Sequence, residues 1–486
     1  MKVPKCMSTQ HPDNVNSPFF AENNELGGED EIQEAYYAFS HLGCDEQMWD
    51  CEGKEVDSFV VKKLLTRYEP FFREKKRLGK DVFLTLRVPN PTVERNEAKI
   101  LLETLESIPR SFDAAKLFYN DDTPPIFEVI LPMTASCQCL DRIYRYYRDF
   151  VVNKEKKSFN EKDITIGEWI GEFKPKEINV IPLFEDMEHM LNAHNVLREY
   201  LHDKNIKHQR VFLARSDPAM NYGLISAVIL NKIALQRLHR LSQDIGVELF
   251  PIVGVGSAPF RGNLKPHTAE RVGREYPSAH TFTVQSAFKY DYTPDEINRG
   301  IKILRERNTG LPQEIDEKKA LEVINKYTQE YKKQIIELAP VINEVARYIP
   351  SRRKRKLHIG LFGYSRSLEG VTLPRAITFT AALYSIGLPP EILALNALND
   401  DDFSFIRSIY LNFDQDLIDA LQYYNPEVEV IPKELKKKIK EIPLNFKTDD
   451  QSSELTNHIL RLIKSNKTKD IQECIVRLAN LRKFLG

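Results

Sequence analysis

Short apolar segments alternate with amphipathic segments along most of this chain. The short segments are rich in apolar residues and lack strict alternation with polar ones, as is typical of strands that are buried on both faces. About eight of them occur, over residues 45–50, 81–88, 127–133, 179–185, 210–216, 248–255, 280–288 and 357–363. Strand–helix alternation repeated this often predicts an α/β fold, a (β/α)8 TIM-type barrel with additional helices.

The segments between the predicted strands have helical periodicity. The clearest amphipathic patterns cover 188–202, 223–246, 295–307 and 317–348. From about residue 376 to residue 486 there is little strand signal, so we expect a helix-rich C-terminal region that packs against the barrel. The sequence therefore predicts a single domain over 1–486, with the barrel at about 40–375 and the C-terminal helices at about 376–486.

Composition and charge exclude several classes of protein. The 486 residues carry a formal net charge of -1, so bulk charge predicts neither nucleic-acid nor membrane partners. The basic runs 351–356 and 433–440 are interpreted as solvated faces. No apolar run approaches the about 18 residues of a membrane span, and the first ten residues lack the apolar core of a secretory signal. Six cysteines are too few for a disulfide scaffold in so long a chain. We expect a cytoplasmic protein.

Two carboxylates stand at the carboxyl ends of neighbouring predicted strands, Glu185 and Asp217. In a barrel of this kind those strand ends meet at one face, where the chemistry takes place. Mg²⁺ is usually held by one or two carboxylates and completes its shell with water and substrate oxygens. Either residue alone is more simply explained as a helix cap, but the pair predicts a Mg²⁺ site, with Mn²⁺ as the alternative ion.

Arg87, Arg261 and Arg366 lie at or shortly after other predicted strand ends, and Arg375 lies further along the chain. A guanidinium group binds carboxylate and phosphate through two parallel hydrogen bonds and is always charged. Any one of these arginines is more often a salt-bridge partner, but together they could converge on one anion site. Arg261 lies in the glycine-containing segment 256–262, which is typical either of a hinged lid or of an ordinary turn.

Six short segments in order resemble those of the phosphoenolpyruvate carboxylase family. They lie at 9–12 (TQHP), 182–185 (PLFE), 216–219 (SDPA), 256–262 (GSAPFRG), 363–366 (GYSR) and 370–377 (GVTLPRAI). In that family they carry the catalytic histidine, two metal ligands, a glycine-rich loop with an essential arginine, and two substrate-anion sites. The chain has about half the length of the bacterial and plant enzymes, and is similar to the archaeal type.

The resemblance implies the carboxylation of phosphoenolpyruvate with bicarbonate to oxaloacetate and phosphate, through carboxyphosphate and a metal-bound enolate of pyruvate. It implies that His11 and Arg261 are catalytic and that Glu185 and Asp217 bind the metal. The substrate anions would be bound by Arg87, Arg366, Arg375, Gly256 and Ser257. Family resemblance also leads us to expect a homotetramer.

Two other functions are compatible with the same strand-end residues. Another metal-dependent barrel enzyme that acts through a pyruvate enolate, such as a lyase or mutase, would also place Glu and Asp on neighbouring strands. A non-catalytic barrel that senses phosphoenolpyruvate would bind the ligand without needing bicarbonate. Leu183 and Phe212 are candidates for an apolar CO₂ pocket or, more simply, ordinary barrel core.

Overall fold

Eight parallel strands pair side by side and close into a barrel in a computed structural model of the chain. The structure describes residues 2–51, 57–93, 95, 98–354, 366–368, 370–465 and 468–486. The barrel strands are β1 (Cys6–Ser8), β2 (Glu46–Asp50), β3 (Phe83–Arg87), β4 (Glu128–Leu131), β5 (Asn179–Phe184), β6 (His208–Ala214), β7 (Glu248–Gly254) and β8 (Thr281–Val284). The predicted TIM-type barrel is therefore confirmed.

The barrel closes through a strand that the sequence analysis did not predict. Strand β1 is three residues long and pairs in parallel with both β2 and β8. The run over 357–363, predicted as the last strand, lies outside the described residues, and the barrel closes without it. The barrel strands thus run from residue 6 to residue 284, and not from about 40 to 375 as expected.

The strands alternate with helices, and the four helices with predicted bounds lie close to their predicted positions. The first half contains α1 (Glu29–Tyr37), α2 (Val60–Arg67), α3 (Glu69–Glu74), α4 (Ile100–Tyr119), α5 (Cys137–Arg145), α6 (Ile166–Ile170), α7 (Met187–Leu201), α8 (Ser216–Tyr222) and α9 (Leu224–Ile245). There follow α10 (Ala269–Glu275), α11 (Ser286–Tyr290), α12 (Pro294–Glu306) and α13 (Glu317–Ala346). Beyond residue 366, an antiparallel pair of short strands, β9 (Arg366–Leu368) and β10 (Val371–Leu373), precedes the C-terminal helices.

The C-terminal helices are α14 (Ala376–Ser385), α15 (Asp400–Ile409), α16 (Phe413–Leu421), α17 (Lys433–Glu441), α18 (Asp450–Lys464) and α19 (Thr468–Arg482). They pack against the barrel and share its buried apolar core. The ring of Phe379 lies 5.9 Å from that of Phe260, and the Asn263 amide donates a hydrogen bond to Asp416. Within the described ranges no single helix could cross a membrane, although the bent pair Ala376–Ser385 and Pro390–Ala397 passes by length and composition when taken together.

A buried ion network fills the amino-terminal end of the barrel. Arg210 of β6 donates two hydrogen bonds to Glu46 of β2, both of 2.7 Å, and one to Glu128 of β4. All three side chains are almost fully buried, and burial raises the pKa of Glu128 despite the nearby charge of Arg210. This end of the barrel is therefore filled with mutually paired charges, and a ligand site must lie at the other end.

Candidate active site

A cavity of about 650 Å³ opens at the carboxyl ends of the barrel strands. Six of the predicted site residues line it, namely His11, Arg87, Glu185, Asp217, Arg261 and Arg375. Gly256 and Ser257 are not among the lining residues, and the side chain of Arg366 lies outside the described part of the chain. The structure thus gathers residues that are up to 364 positions apart in the sequence around one opening.

The two predicted metal ligands stand at the ends of paired strands. Glu185 follows β5 directly, and Asp217 lies in the first turn of α8, just after β6. Strands β5 and β6 pair through Leu183 and Phe212, which places the two strand ends side by side. One oxygen of Glu185 accepts a hydrogen bond of 2.7 Å from the backbone N–H of Met133, which holds the carboxylate in place.

This pair of carboxylates fits a hard divalent cation. Both groups offer oxygen ligands, which Mg²⁺ prefers, and such sites often use only one or two protein carboxylates. No cluster of three or more His, Cys, Asp or Glu side chains suited to a metal occurs among the described residues. The remaining ligands would therefore be water and substrate oxygens, which suits an ion that must contact the substrate.

Arg87 is positioned by strand register. In the β2–β3 pair, Asp50 lies opposite Arg87, at the last position of each strand. The Arg87 guanidinium donates to both oxygens of Asp50, at 3.1 and 2.7 Å. A guanidinium held by a carboxylate on one edge can still present its remaining N–H groups to a ligand in the cavity.

Arg261 lines the cavity but is almost fully buried, and its side chain is held from several directions. Its guanidinium donates hydrogen bonds to the hydroxyl of Ser216, the carboxylate of Asp13, the amide oxygen of Gln285 and the carbonyl of Gly486. The side chain is 2% exposed, and burial lowers its pKa, an effect that the charge of Asp13 partly offsets. In this structure the segment 256–262 is thus a tightly packed turn, and not an exposed lid.

Gly256 and Ser257 support Arg261 from within that turn. A Cβ atom added at Gly256 would lie 2.8 Å from the Arg261 Cζ atom, so only glycine leaves room for the guanidinium. The backbone N–H of Ser257 donates to the same Asp13 oxygen that receives Arg261. Both residues are therefore placed to position Arg261, and the substrate-binding role expected for them stays a prediction.

His11 lies three residues beyond the end of β1, at a strand end like the other site residues. The chain leads to His11 directly from a barrel strand. The imidazole Nδ1 lies 2.9 Å from the hydroxyl oxygen of Thr9, and the His11 carbonyl accepts a hydrogen bond from the N–H of Ser286. Buried Lys289 anchors the segment by donating to the hydroxyl of Ser8 and the carbonyl of Thr9.

The floor of the cavity is apolar. Leu183 and Phe212 line it together with Met48, and all three belong to a small buried cluster inside the barrel. A Cβ atom added at Gly254 would lie 2.8 Å from the Phe212 ring, so a residue without a side chain is needed there to leave room for the ring. An apolar floor beneath charged walls can accommodate an uncharged molecule next to ionic groups.

The sequence analysis missed three arginines that line this cavity, Arg215, Arg352 and Arg353. Arg215 occupies the same strand end as Asp217, so the strand-end rule could have identified it. Arg352 lies in the run 351–356 that was interpreted as a solvated face, but Arg352 and its neighbour Arg353 are 7% and 1% exposed. That interpretation is wrong for these two residues because segments distant in sequence bury them.

Basic side chains outnumber acidic ones among the described residues that line the cavity. The whole chain has a formal net charge of only -1, so this excess is local. Concentrated positive charge in a concave site raises the local concentration of anions. The cavity is therefore suited to a substrate with more than one negative group.

Comparisons with known proteins agree with these features. A family model described as phosphoenolpyruvate carboxylase matches residues 3–486. The chain is 61% identical to the phosphoenolpyruvate carboxylase of Methanothermobacter thermautotrophicus, 58% identical to that of Methanospirillum hungatei and 51% identical to that of Pyrococcus furiosus. Each match covers 100% of both chains.

Similarity to solved structures is much weaker. A malate synthase of Haloferax volcanii aligns with a TM-score of 0.40 at 11% identity, over 85% of this chain and 96% of that one. An HpcH/HpaI aldolase of Desulfitobacterium hafniense aligns with a TM-score of 0.31 at 13% identity, over 64% and 95%. The family assignment rests instead on the full-length sequence matches. By these matches, the chain belongs to the phosphoenolpyruvate carboxylase family, in agreement with the predicted resemblance to its archaeal type.

Proposed function

We propose that the chain carboxylates phosphoenolpyruvate with bicarbonate, producing oxaloacetate and inorganic phosphate. The observation that carries this proposal is the convergence of His11, Glu185, Asp217 and several arginines on one cationic cavity, in a chain of this family. Both substrates are anions, so they repel each other in solution. Fixed arginines offset that repulsion and hold the two molecules together.

The proposed reaction has two stages. An oxygen of bicarbonate forms a bond to phosphorus while the bond from phosphorus to the enol oxygen breaks, giving carboxyphosphate and the enolate of pyruvate. Carboxyphosphate then gives up its proton and splits into CO₂ and phosphate. The enolate carbon finally forms a bond to CO₂, which completes oxaloacetate.

Arginines would bind the anions during the first stage. Arg261 is proposed to neutralise charge on the transferred phosphoryl group, and its hydrogen bonds to Asp13 and Gln285 keep the guanidinium oriented without a cost at the moment of reaction. Arg87 and Arg375 line the same cavity and are proposed to orient the substrate anions. Arg366 is assigned the same role by resemblance alone.

His11 would act in the second stage. Histidine is the side chain that most readily accepts a proton near neutral pH. We propose that His11 takes the proton of carboxyphosphate and so promotes release of CO₂. The apolar floor formed by Leu183 and Phe212 would hold the released CO₂ close to the enolate and keep water away, because an enolate that meets a proton first yields pyruvate.

The proposed metal ion is Mg²⁺, with Mn²⁺ as the alternative, held by Glu185 and Asp217. When bound, such an ion stabilises negative charge that develops on a substrate oxygen. Glu185 and Asp217 would hold the ion near the arginines of the cavity, because each carboxylate stands at or just after the end of a barrel strand.

We further propose that residues 1–486 form one domain and that the enzyme is a cytoplasmic homotetramer without nucleic-acid or membrane partners. The shared apolar core of the barrel and the C-terminal helices supports the single domain. In the proposed assembly, the exposed side chains of Phe159, Ile164 and Trp169 lie in a subunit interface. Sedimentation or light scattering would measure the assembly.

One assay tests the proposed reaction. The purified chain is mixed with Mg²⁺, phosphoenolpyruvate and bicarbonate, and oxaloacetate is reduced by a coupled dehydrogenase. We expect turnover that depends on both the metal and bicarbonate. Glu185→Gln and Asp217→Asn should each abolish it and weaken Mn²⁺ binding measured by electron paramagnetic resonance, whereas exposed Glu188→Gln should change neither. Product formation without bicarbonate, or full metal binding in both variants, would contradict the proposal.

A further inference from the structure

Arg352 is a buried cation that lines the cavity. Its side chain is 7% exposed and belongs to the cavity lining. Its Nε is buried without a hydrogen-bond partner. Within the described part of the chain, no hydrogen bond or ion pair satisfies its guanidinium group. Burial lowers the pKa of Arg352, and this effect outweighs the charge of Asp291, which raises it.

The neighbouring residue shows what a structural arginine looks like in the same segment. Arg353 donates hydrogen bonds of 2.7 to 2.9 Å to Glu31 and Glu34, two buried carboxylates of α1. The charges of Arg353 and Lys289 outweigh the effect of burial on Glu34 and lower its pKa strongly. Both arginines line the cavity, but they differ in pairing: carboxylates of α1 neutralise Arg353, whereas no described carboxylate forms an ion pair with Arg352.

The backbone of Arg352 is fixed. Leu26 donates its N–H to the carbonyl of Arg352 at 3.1 Å and accepts the N–H of Lys354 at 2.9 Å. These bonds form a bridge between residues 26 and 353. The guanidinium is thus presented to the cavity from an anchored segment, as a binding group requires if it is to lose little freedom when a ligand arrives.

A buried charge without a partner is unfavourable because burial removes its hydration. Such a group is retained where a ligand supplies the missing opposite charge. On the basis of the proposed function, we infer that Arg352 is a further substrate-binding residue. Its guanidinium donates hydrogen bonds to a planar carboxylate-type oxyanion in the cavity.

The shape of the ligand group follows from the shape of guanidinium. Its planar N–H fork matches two coplanar oxygens of a carboxylate or a bicarbonate ion. Both proposed substrates offer such a group: phosphoenolpyruvate carries a carboxylate, and bicarbonate is itself a planar oxyanion of this kind. The phosphoryl group is the proposed ligand of Arg261. Arg352 would join the other arginines of the cavity in binding a carboxylate-type group.

Binding measurements without turnover test the inference. Phospholactate carries the phosphate and carboxylate of the substrate but no enol, whereas ethyl phosphate carries only the phosphate. With Mg²⁺ present, Arg352→Gln should weaken phospholactate binding in calorimetry by about tenfold or more, and leave ethyl phosphate binding unchanged. If bicarbonate is instead the source of the oxyanion, phospholactate binding stays unchanged and the KM for bicarbonate rises by a similar factor. Arg352→Lys keeps the charge without the fork and should give an intermediate loss.

The control is Arg347→Gln, at the C-terminal end of α13, where the side chain is 73% exposed and pairs with Glu344. It should bind both ligands as the wild type does. The thermal midpoint of Arg352→Gln should not fall, because the substitution removes no hydrogen bond or ion pair between the guanidinium and a described residue. Unchanged phospholactate binding together with an unchanged KM for bicarbonate would overturn the inference, as would an equal loss of ethyl phosphate binding. Failure of the carboxylation reaction itself would appear instead as absence of bicarbonate-dependent oxaloacetate formation by the wild type.

Discussion

At the scale of single residues, a substitution of His11 should distinguish the two stages of the proposed reaction, because His11 is proposed to act only in the second. It lines the cavity, and its ring contacts the Thr9 hydroxyl at 2.9 Å. His11→Asn removes a proton acceptor and keeps a polar group of similar size. We expect this variant to cleave phosphoenolpyruvate still, but to release mainly pyruvate, with oxaloacetate formation reduced by about 100-fold or more. The ratio of the two products, measured with separate coupled enzymes, checks the prediction.

A matched control for this change is His202→Asn. His202 is exposed at the end of α7 and is remote from the cavity lining. Its product ratio should equal that of the wild type. Oxaloacetate as the main product of His11→Asn at the wild-type rate would remove His11 from the chemistry.

The residues that sequence analysis located are those whose position follows from a strand end. Glu185, Asp217 and Arg87 stand where a parallel strand stops, so the barrel alone brings them to one face. Arg352 could not be located in this way. Its burial depends on a bridge to Leu26 and on an adjacent arginine paired with Glu31 and Glu34, more than 300 residues away in the sequence. No local pattern in a basic run carries that information.

At the scale of elements, the turn after β7 depends on a glycine. A Cβ atom at Gly256 would meet the Cζ and both terminal nitrogens of Arg261 at 2.8 to 3.0 Å. The guanidinium cannot easily move aside, because Ser216, Asp13 and Gln285 hold it. We expect Gly256→Ala to lower kcat by up to about 100-fold through misplacement of Arg261, in steady-state kinetics. Gly310→Ala, where the nearest atom to the added Cβ would be 3.6 Å away, is the control. Equal kcat values for both variants would show that the turn tolerates the methyl group.

The same turn is tied to the C-terminal region by a buried acid. Glu391 accepts hydrogen bonds from the N–H of Phe260 and the hydroxyl of Tyr384, at 2.6 and 2.7 Å. Burial raises the pKa of Glu391 from its ordinary 4.5 to about 7. The folded protein therefore keeps a proton that the unfolded chain releases. This contribution to stability is fully present below pH 4.5 and is lost as the pH rises through 7.

Glu391→Gln should remove that pH dependence. The free energy of unfolding of the wild type should fall by up to about 3 kcal/mol more than that of the variant between pH 4.5 and 8, given about 1.4 kcal/mol for each pH unit of the pKa shift. Denaturant titrations at several pH values measure the difference. Glu429→Gln, at a side chain that is 89% exposed, should follow the wild type. Parallel curves for wild type and Glu391→Gln would contradict the raised pKa.

Strand β1 shows why one element escaped prediction. The sequence of β1 is Cys-Met-Ser, which is too short to show any periodicity and contains no β-branched residue. Its strand conformation comes from pairing with β2 and β8, which are separated from it by about 40 and 275 residues. The seven longer strands and the four clearest helices were predictable, because their apolar patterns extend over enough residues to be distinguished.

At the scale of the whole molecule, distant parts of the chain meet at the cavity. The carbonyl of Asp13 accepts a hydrogen bond from the N–H of Leu485, and the carbonyl of Gly486 accepts one from the Arg261 guanidinium. A deletion of residues 2–14 would remove strand β1 along with His11, and its loss of activity would not report on the histidine. Point substitutions are therefore needed in this region.

Asp13 is the residue at which these parts are joined. One of its oxygens accepts a hydrogen bond of 2.7 Å from the N–H of Ala287. The other accepts hydrogen bonds from the N–H of Ser257 and from the Arg261 guanidinium. The Asp13 and Arg261 side chains are 0% and 2% exposed. Asp13→Asn would leave Arg261 as a buried cation without its counter-charge, which is costly because the interior cannot replace water around the charge.

We therefore expect Asp13→Asn to lower the free energy of unfolding by about 3 kcal/mol and to lower kcat, both measured on the full chain. The matched control is Asp244→Asn, which removes the carboxylate from an ion pair of 2.8 Å with Arg198 at the surface. Because water screens that pair, its loss should cost about 1 kcal/mol or less and leave kcat unchanged. If the two substitutions destabilise the protein equally, then Asp13 does not bind Arg261 as a buried counter-charge, and the positioning of Arg261 must come from its neutral partners.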